Sequence, residues 1–144
     1  MTDGPADVAL PFARPPGRLL LEPLVRAALE EDLGRAGDIT SELTVPETAI
    51  ATARLVARKP GRIAGLVAAR LAFELADPCL TVATHLPDGA DAGTGGLIAT
   101  IEGPARAILT AERVALNFLG HLSGIATATH ALVEAVEGTG VRIV

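Results

Sequence analysis

The stretch ARAILTAERVALNFLGHLSGIAT, residues 105–127, decides how the rest of the chain is read. It contains no proline and follows directly on Gly103-Pro104, which opens a helix running to about His121. Each residue advances about 100° around a helix, so Arg106, Thr110, Arg113, Asn117 and His121 fall within an arc of roughly 80°. Most other positions are apolar, from Ala107 and Ile108 to Leu119 and Leu122. So narrow a polar stripe is not the broad face of a surface helix. It suits a helix covered by protein on most sides, with one edge along a cleft or an interface. Two arginines and an asparagine there suit an anionic ligand, because guanidinium forks take carboxylates and phosphates in bidentate fashion. A plain solvated edge is the alternative. Glu112 lies off the stripe, between Ile108, Leu116 and Leu119, and a carboxylate in that setting calls for an ion-pair partner.

Working outward, Ser123-Gly124 is expected to interrupt the helix before a second helical stretch from Ala126 to Val136. Gly138-Thr139-Gly140 then releases a strand start at Val141–Val144. Upstream, Ile50 to Arg58 alternates, with Ala51, Ala53, Leu55 and Ala57 on one side, and Leu80 to Leu86 does the same. Leu97 to Glu102 makes a third strand, and Gly93-Thr94-Gly95-Gly96 before it reads as a hairpin connection. That glycine run precedes a strand rather than joining a strand to a helix, so it is no phosphate loop. Helices are expected at Pro23–Leu33, stopped by Gly34, and at Gly65–Ala76, stopped by Asp77-Pro78. Residues 1–18, with Pro5, Pro11, Pro15 and Pro16, read as a loose arm.

Composition narrows the function classes. The chain is 49% apolar with three Phe and neither Trp nor Tyr, so its core is aliphatic. Few rings and a formal charge of −5 weigh against nucleic acid, which needs stacking platforms and a basic face. Neither a signal peptide nor an apolar run of about 18 residues occurs, so no membrane partner is expected and a cytoplasmic location is. Cys79 is the only cysteine; it forms no disulfide framework and is expected to pack as a small hydrophobe. Asp32 and Asp38 flank a glycine-rich loop, with Thr40 and Ser41 beyond, where a capped turn is favoured over a metal or phosphate loop. His85 and His130 have no metal-ligand spacing and are read as structural or exposed.

Three short segments carry a resemblance beyond these patterns: Glu31-Asp32-Leu33-Gly34, Gly37-Asp38-Ile39-Thr40-Ser41 and Asp88-Gly89-Ala90. With the run from Ala105 to Arg113, Ala115 to Leu119 and Leu122 to Thr127, their order and spacing resemble the quinolinate phosphoribosyltransferase family. The resemblance spans about Leu20 to Val144. It implies an α+β fold, an antiparallel sheet sandwich packed with helices, followed by only the start of an open α/β barrel. In domain terms this means a flexible arm at 1–18, the sandwich domain with its long helix at 19–122, and the beginning of a truncated barrel at 123–144.

The resemblance also implies a reaction: quinolinate and phosphoribosyl pyrophosphate give nicotinate mononucleotide, CO2 and pyrophosphate, with Mg2+ as cofactor. In a homodimer the sandwich domain of one subunit closes over the barrel of the other. Arg113 then matches the arginine that reaches the neighbouring subunit's substrate site, with Arg106, Asn117 and His121 as candidate neighbours on its edge. No residue of this chain is assigned a catalytic or metal-ligating role, because the family's metal carboxylates and most of its substrate-binding cations have no counterpart in it. Lys59 stands where the family usually carries an acidic residue. The chain alone is expected to be inactive, with the face of Val114, Phe118 and Leu122 partly uncovered. Alternative readings are a stand-alone partner of a full-length relative and a molybdenum-transport relative of the same fold. A biotinyl-type carrier is disfavoured, since Lys59 is followed by Pro60 rather than presented at a hairpin tip.

Overall fold

Alternation along residues 50–58 builds the edge of a sheet. The computed structural model describes residues 16–143. In it β1 (Ile50–Val56) pairs antiparallel with β5 (Leu97–Pro104), which pairs antiparallel with β3 (Thr81–Thr84), giving the order β1-β5-β3. Leu55 is buried, Ala51 and Ala53 are half-buried, and Thr52, Arg54 and Val56 are exposed, as a sheet with one covered face requires. The central strand supplies Ile98, Ala99 and Ile101 to the core. The opposite face is polar, and His85 Nε2 lies 2.9 Å from Thr100 Oγ1 across it.

A second, two-stranded sheet pairs β2 (Gly61–Arg62) with β4 (Asp91–Ala92). This corrects the reading of Gly93–Gly96 as a hairpin connection: β4 and β5 belong to different sheets. The turn closes through Gly96 N–H to Gly93 C=O and is tied to Ala57 by hydrogen bonds in both directions.

Four helices among the described residues complete the fold. The first, α1 (Arg18–Leu33), begins a turn earlier than Pro23 suggests, so Arg18 belongs to a helix rather than to the loose arm. The extra turn is held by ion pairs from Arg18 to Glu22 and Glu74, each 2.9 Å. Residues 1–15 of the expected arm lie outside the described residues. A short α2 (Ile39–Thr44) follows, then α3 (Leu66–Ala76) and α4 (Ala105–Ala135). Gly65, at φ +98°, allows α3 to approach α4; a Cβ there would sit 2.8 Å from Leu122 Cδ1 and 3.2 Å from the Phe118 carbonyl oxygen.

The break expected at Ser123-Gly124 is absent, and α4 is one helix of 31 residues. Ser123 and Thr127 instead face the small sheet. Ser123 Oγ accepts from Ala64 N–H at 3.0 Å, and Thr127 Oγ1 accepts from Arg62 N–H at 2.8 Å. The domain boundary expected between 122 and 123 thus falls inside a continuous helix bonded to the sandwich. Arg62 extends this junction, reaching Asp91 at 3.1 Å and His130 Nδ1 at 2.9 Å. Residues 141–143 are not in a strand, and Val144 lies outside the described residues. An isolated extended segment leaves its ladder groups unpaired, and the described residues offer it no neighbouring strand.

The core lies between the covered face of the larger sheet and α1, α3 and α4. Phe73, Ile101 and Val25 are its largest fully buried side chains. Val114, expected to be partly uncovered, is buried, and Phe118 and Leu122 are half-buried, because α1 and α3 cover that side of α4. The exposed large apolar residues of the helix are Leu109, Leu116, Ile125, Leu132 and Val133. Cys79 is exposed rather than packed: its N–H bonds Asp77 Oδ1 at 2.7 Å in the turn after α3, and Leu80 takes the buried place. The neighbouring Asp77 carboxylate raises the thiol's pKa. Among the described residues no helix is long and apolar enough to cross a membrane.

Candidate functional site at the Asp32–Arg113 contact

The polar edge of α4 lies along the end of α1, the following turn and α2, and its residues divide into two kinds there. Arg106 is used structurally. Its Nε donates to the Val45 carbonyl at 2.8 Å and its Nη2 to the Glu42 carbonyl at 3.0 Å, closing the last turn of α2. Helix C-termini leave carbonyls without partners and favour a cation, which accounts for the position. Arg106 is therefore a brace between α4 and α2.

Thr110 serves the same junction, donating to Asp38 Oδ2 at 3.2 Å. Asp38 is the N-cap of α2, and its Oδ1 accepts from Ser41 N–H at 3.0 Å. The capped turn expected around Asp38 is thus present. The Ser41 side-chain hydrogen bond, then the Ser41 backbone bond, hold the Asp38 pKa below its ordinary 3.8, against a small opposing effect of burial. A depressed carboxylate contributes stability above its unfolded pKa and loses it as pH falls through the folded value. Asp38→Ala is accordingly expected to cost about 1 kcal/mol at pH 7, the usual worth of an N-cap. The difference from the parent should shrink as pH falls below 3.8. Urea denaturation of both proteins at pH 7 and in acid measures it; a pH-independent difference would remove the carboxylate from the account.

Arg113 differs from both. Its Nη1 meets Asp32 Oδ1 at 3.0 Å, yet the arginine side chain is 74% exposed while Asp32 is only 20% exposed. Two clefts meet at Asp32, and Arg113 lines the larger of them. One, about 720 Å³, is lined by polar groups including Asp38, Thr40, Thr44, Glu112 and Arg113. The other, about 470 Å³, lies between α1 and α4, over Ala28, Val114 and Phe118, and is rimmed by Glu31, Asp32, Asn117 and His121. Asn117 and His121, both exposed, therefore share the second cleft, which Asp32 joins to the first. Glu112, expected to need an ion-pair partner, is exposed and takes part in none of the ion pairs among the described residues. Water solvates it, because the apolar neighbours Leu109 and Leu116 leave that side of the helix open.

Wheel reasoning missed Asp32, whose contact with Arg113 joins residues 81 apart. A local signal was present: Glu31 and Asp32 place two carboxylates in the last turn of α1, which holds no basic residue, where the helix dipole disfavours negative charge.

A family model for the quinolinate phosphoribosyl transferase N-terminal domain matches residues 38–123. The chain belongs to this family. Asp38, Arg106, Thr110, Arg113, Asn117 and His121 fall inside the match, and Asp32 precedes it. The nicotinate-nucleotide pyrophosphorylase (carboxylating) of Mycobacterium leprae is 42% identical over 121 residues, which cover 83% of this chain and 43% of that protein. Quinolinate phosphoribosyltransferase (decarboxylating) 1 of Nicotiana glauca is 36% identical over 115 residues, covering 80% of this chain and 33% of that protein. Among solved structures, NadC from Streptococcus pyogenes superposes with a TM-score of 0.83 at 36% identity, over 86% of this chain and 44% of that one. The nicotinate-nucleotide pyrophosphorylase from Francisella tularensis gives 0.80 at 31% identity over the same shares. The chain thus spans less than half the length of these relatives, and the α+β fold with its antiparallel sheet is the fold of this family's N-terminal domain.

Proposed function

We propose that this chain supplies the N-terminal domain of a quinolinate phosphoribosyltransferase and presents Arg113 to a substrate site completed by another subunit. The whole reaction joins quinolinate to phosphoribosyl pyrophosphate and releases CO2 and pyrophosphate, forming nicotinate mononucleotide. The observation that carries the reading is the exposure of Arg113 beside carboxylates. It is the one cation lining the larger cleft among the described residues, against Asp32, Asp38 and Glu112. A cleft with that balance does not by itself hold a dicarboxylate and a polyphosphate. An outward guanidinium offered to a cationic pocket elsewhere does, since it adds fixed positive charge where a carboxylate is bound and lost. A homodimer in which each chain contributes Arg113 to its neighbour is the arrangement proposed.

Mg2+ belongs to the proposed complete reaction, where it would neutralise the pyrophosphate. The side chains here do not form its site. Asp38 is committed to Ser41 and Thr110, Asp32 to Arg113, and no metal-holding cluster of His, Cys, Asp and Glu occurs among the described residues. No metal step is assigned to this chain. Residues 1–144 alone are expected to form no nicotinate mononucleotide from quinolinate, phosphoribosyl pyrophosphate and Mg2+. Multiple turnovers by the purified chain would overturn the shared-site reading.

A further inference from the structure

Asp32 has no structural duty that explains its position. It sits in the last turn of α1 with Glu31, where the dipole opposes negative charge and no basic residue of that turn compensates. Its partner is largely exposed, so solvent screens the pair and its contribution to stability is small. The geometry is nonetheless well defined: Asp32 is mostly buried at the meeting of the two clefts, and the contact engages Arg113 Nη1 alone. A guanidinium has five N–H donors, so a single contact leaves an edge able to grip a carboxylate in bidentate fashion.

We infer that Asp32 is a positioning residue, holding the Arg113 guanidinium in place so that its unbound edge meets the carboxylate of an incoming aromatic dicarboxylate. The inference rests on the proposed role of Arg113. Physically, a long arginine side chain loses rotamer freedom when it is fixed on a ligand. Asp32 fixes it beforehand, from a rigid helix, so less is lost on binding. Asp32 does not touch substrate and acts through Arg113. A competing carboxylate that must be displaced would occupy the bidentate edge; the single contact argues against that.

The test is a double-mutant series in the assembled enzyme containing this chain, with pyridine-2,3-dicarboxylate as the varied substrate. Asp32→Ala is expected to raise KM about tenfold while kcat changes far less, the signature of lost preorganisation. In an Arg113→Ala background the same substitution should change KM by less than about twofold, because the residue it positions is gone. Asp32→Leu, similar in size but with no acceptor for Arg113, is measured alongside and read the same way if the alanine variant does not fold. An unchanged KM in the single variants overturns the positioning role. So does an equal rise in both backgrounds, which marks a structural effect on the cleft. If Arg113→Ala itself leaves KM and kcat unaltered, the proposed function fails with it, and the same series separates that outcome from a failure of Asp32 alone.

Discussion

Arg113→Ala is expected to lower kcat/KM for quinolinate about 30-fold or more in an assembled enzyme containing this chain, a loss above ~2 kcal/mol of transition-state stabilisation. A fixed guanidinium next to a reacting carboxylate is worth this much where the assembled site excludes water. Folding should scarcely notice. The side chain is 74% exposed and its ion pair with Asp32 is screened, so stability should move by less than about 1 kcal/mol. The disparity between the two numbers is the diagnostic. Steady-state kinetics and urea denaturation on the same preparation measure both. Unchanged kcat/KM would end the proposed role, and equal losses of activity and stability would make Arg113 a structural residue.

Phe73→Ala has the opposite profile, an expected loss of about 3–5 kcal/mol in stability. Phe73 is 1% exposed and is the largest of the fully buried side chains. It lies on α3, which packs against both α4 and α1. Its own helix contributes Ala68, Ala69 and Ala72 to the same core, so neighbouring side chains are too short to fill the cavity its ring would leave. Against a typical domain stability of about 5–15 kcal/mol, that loss removes a large part of the margin. Val67, on the exposed side of α3, provides the control, and Val67→Ala should cost far less. A fall of under about 1 kcal/mol on Phe73→Ala would mean that the core is not packed around this ring.

Much of this architecture was legible in local pattern. Alternation placed β1 and assigned its faces, because a strand's side chains point to opposite sides in turn. Gly34 and Asp77-Pro78 marked helix ends, since backbone geometry there depends on the residue itself. Five of the polar residues of α4 were grouped on one edge by period alone. What each does was not in the period. Arg106 and Arg113 stand two turns apart on the same stripe, yet one closes α2 and the other points to solvent. The difference lies in what faces them: carbonyls 61 and 64 residues away for Arg106, and a carboxylate 81 residues away for Arg113.

The strand order β1-β5-β3, the continuity of α4 past Ser123 and the exposure of Cys79 were likewise tertiary decisions. Ser123, with Gly124, looked like a helix break because Ser and Gly are indifferent helix formers, while Thr127 fell in the helical stretch expected after it. Bonds to the backbone of Arg62 and Ala64 turn the two side chains into anchors of a helix that continues. The sequence by itself determined which residues share a face and where elements end, because those follow from the geometry of neighbouring residues. Only the tertiary structure decided which donors were spent on the fold and which, above all those of Arg113, remained largely exposed. That outcome depends on acceptors brought together from distant parts of the chain.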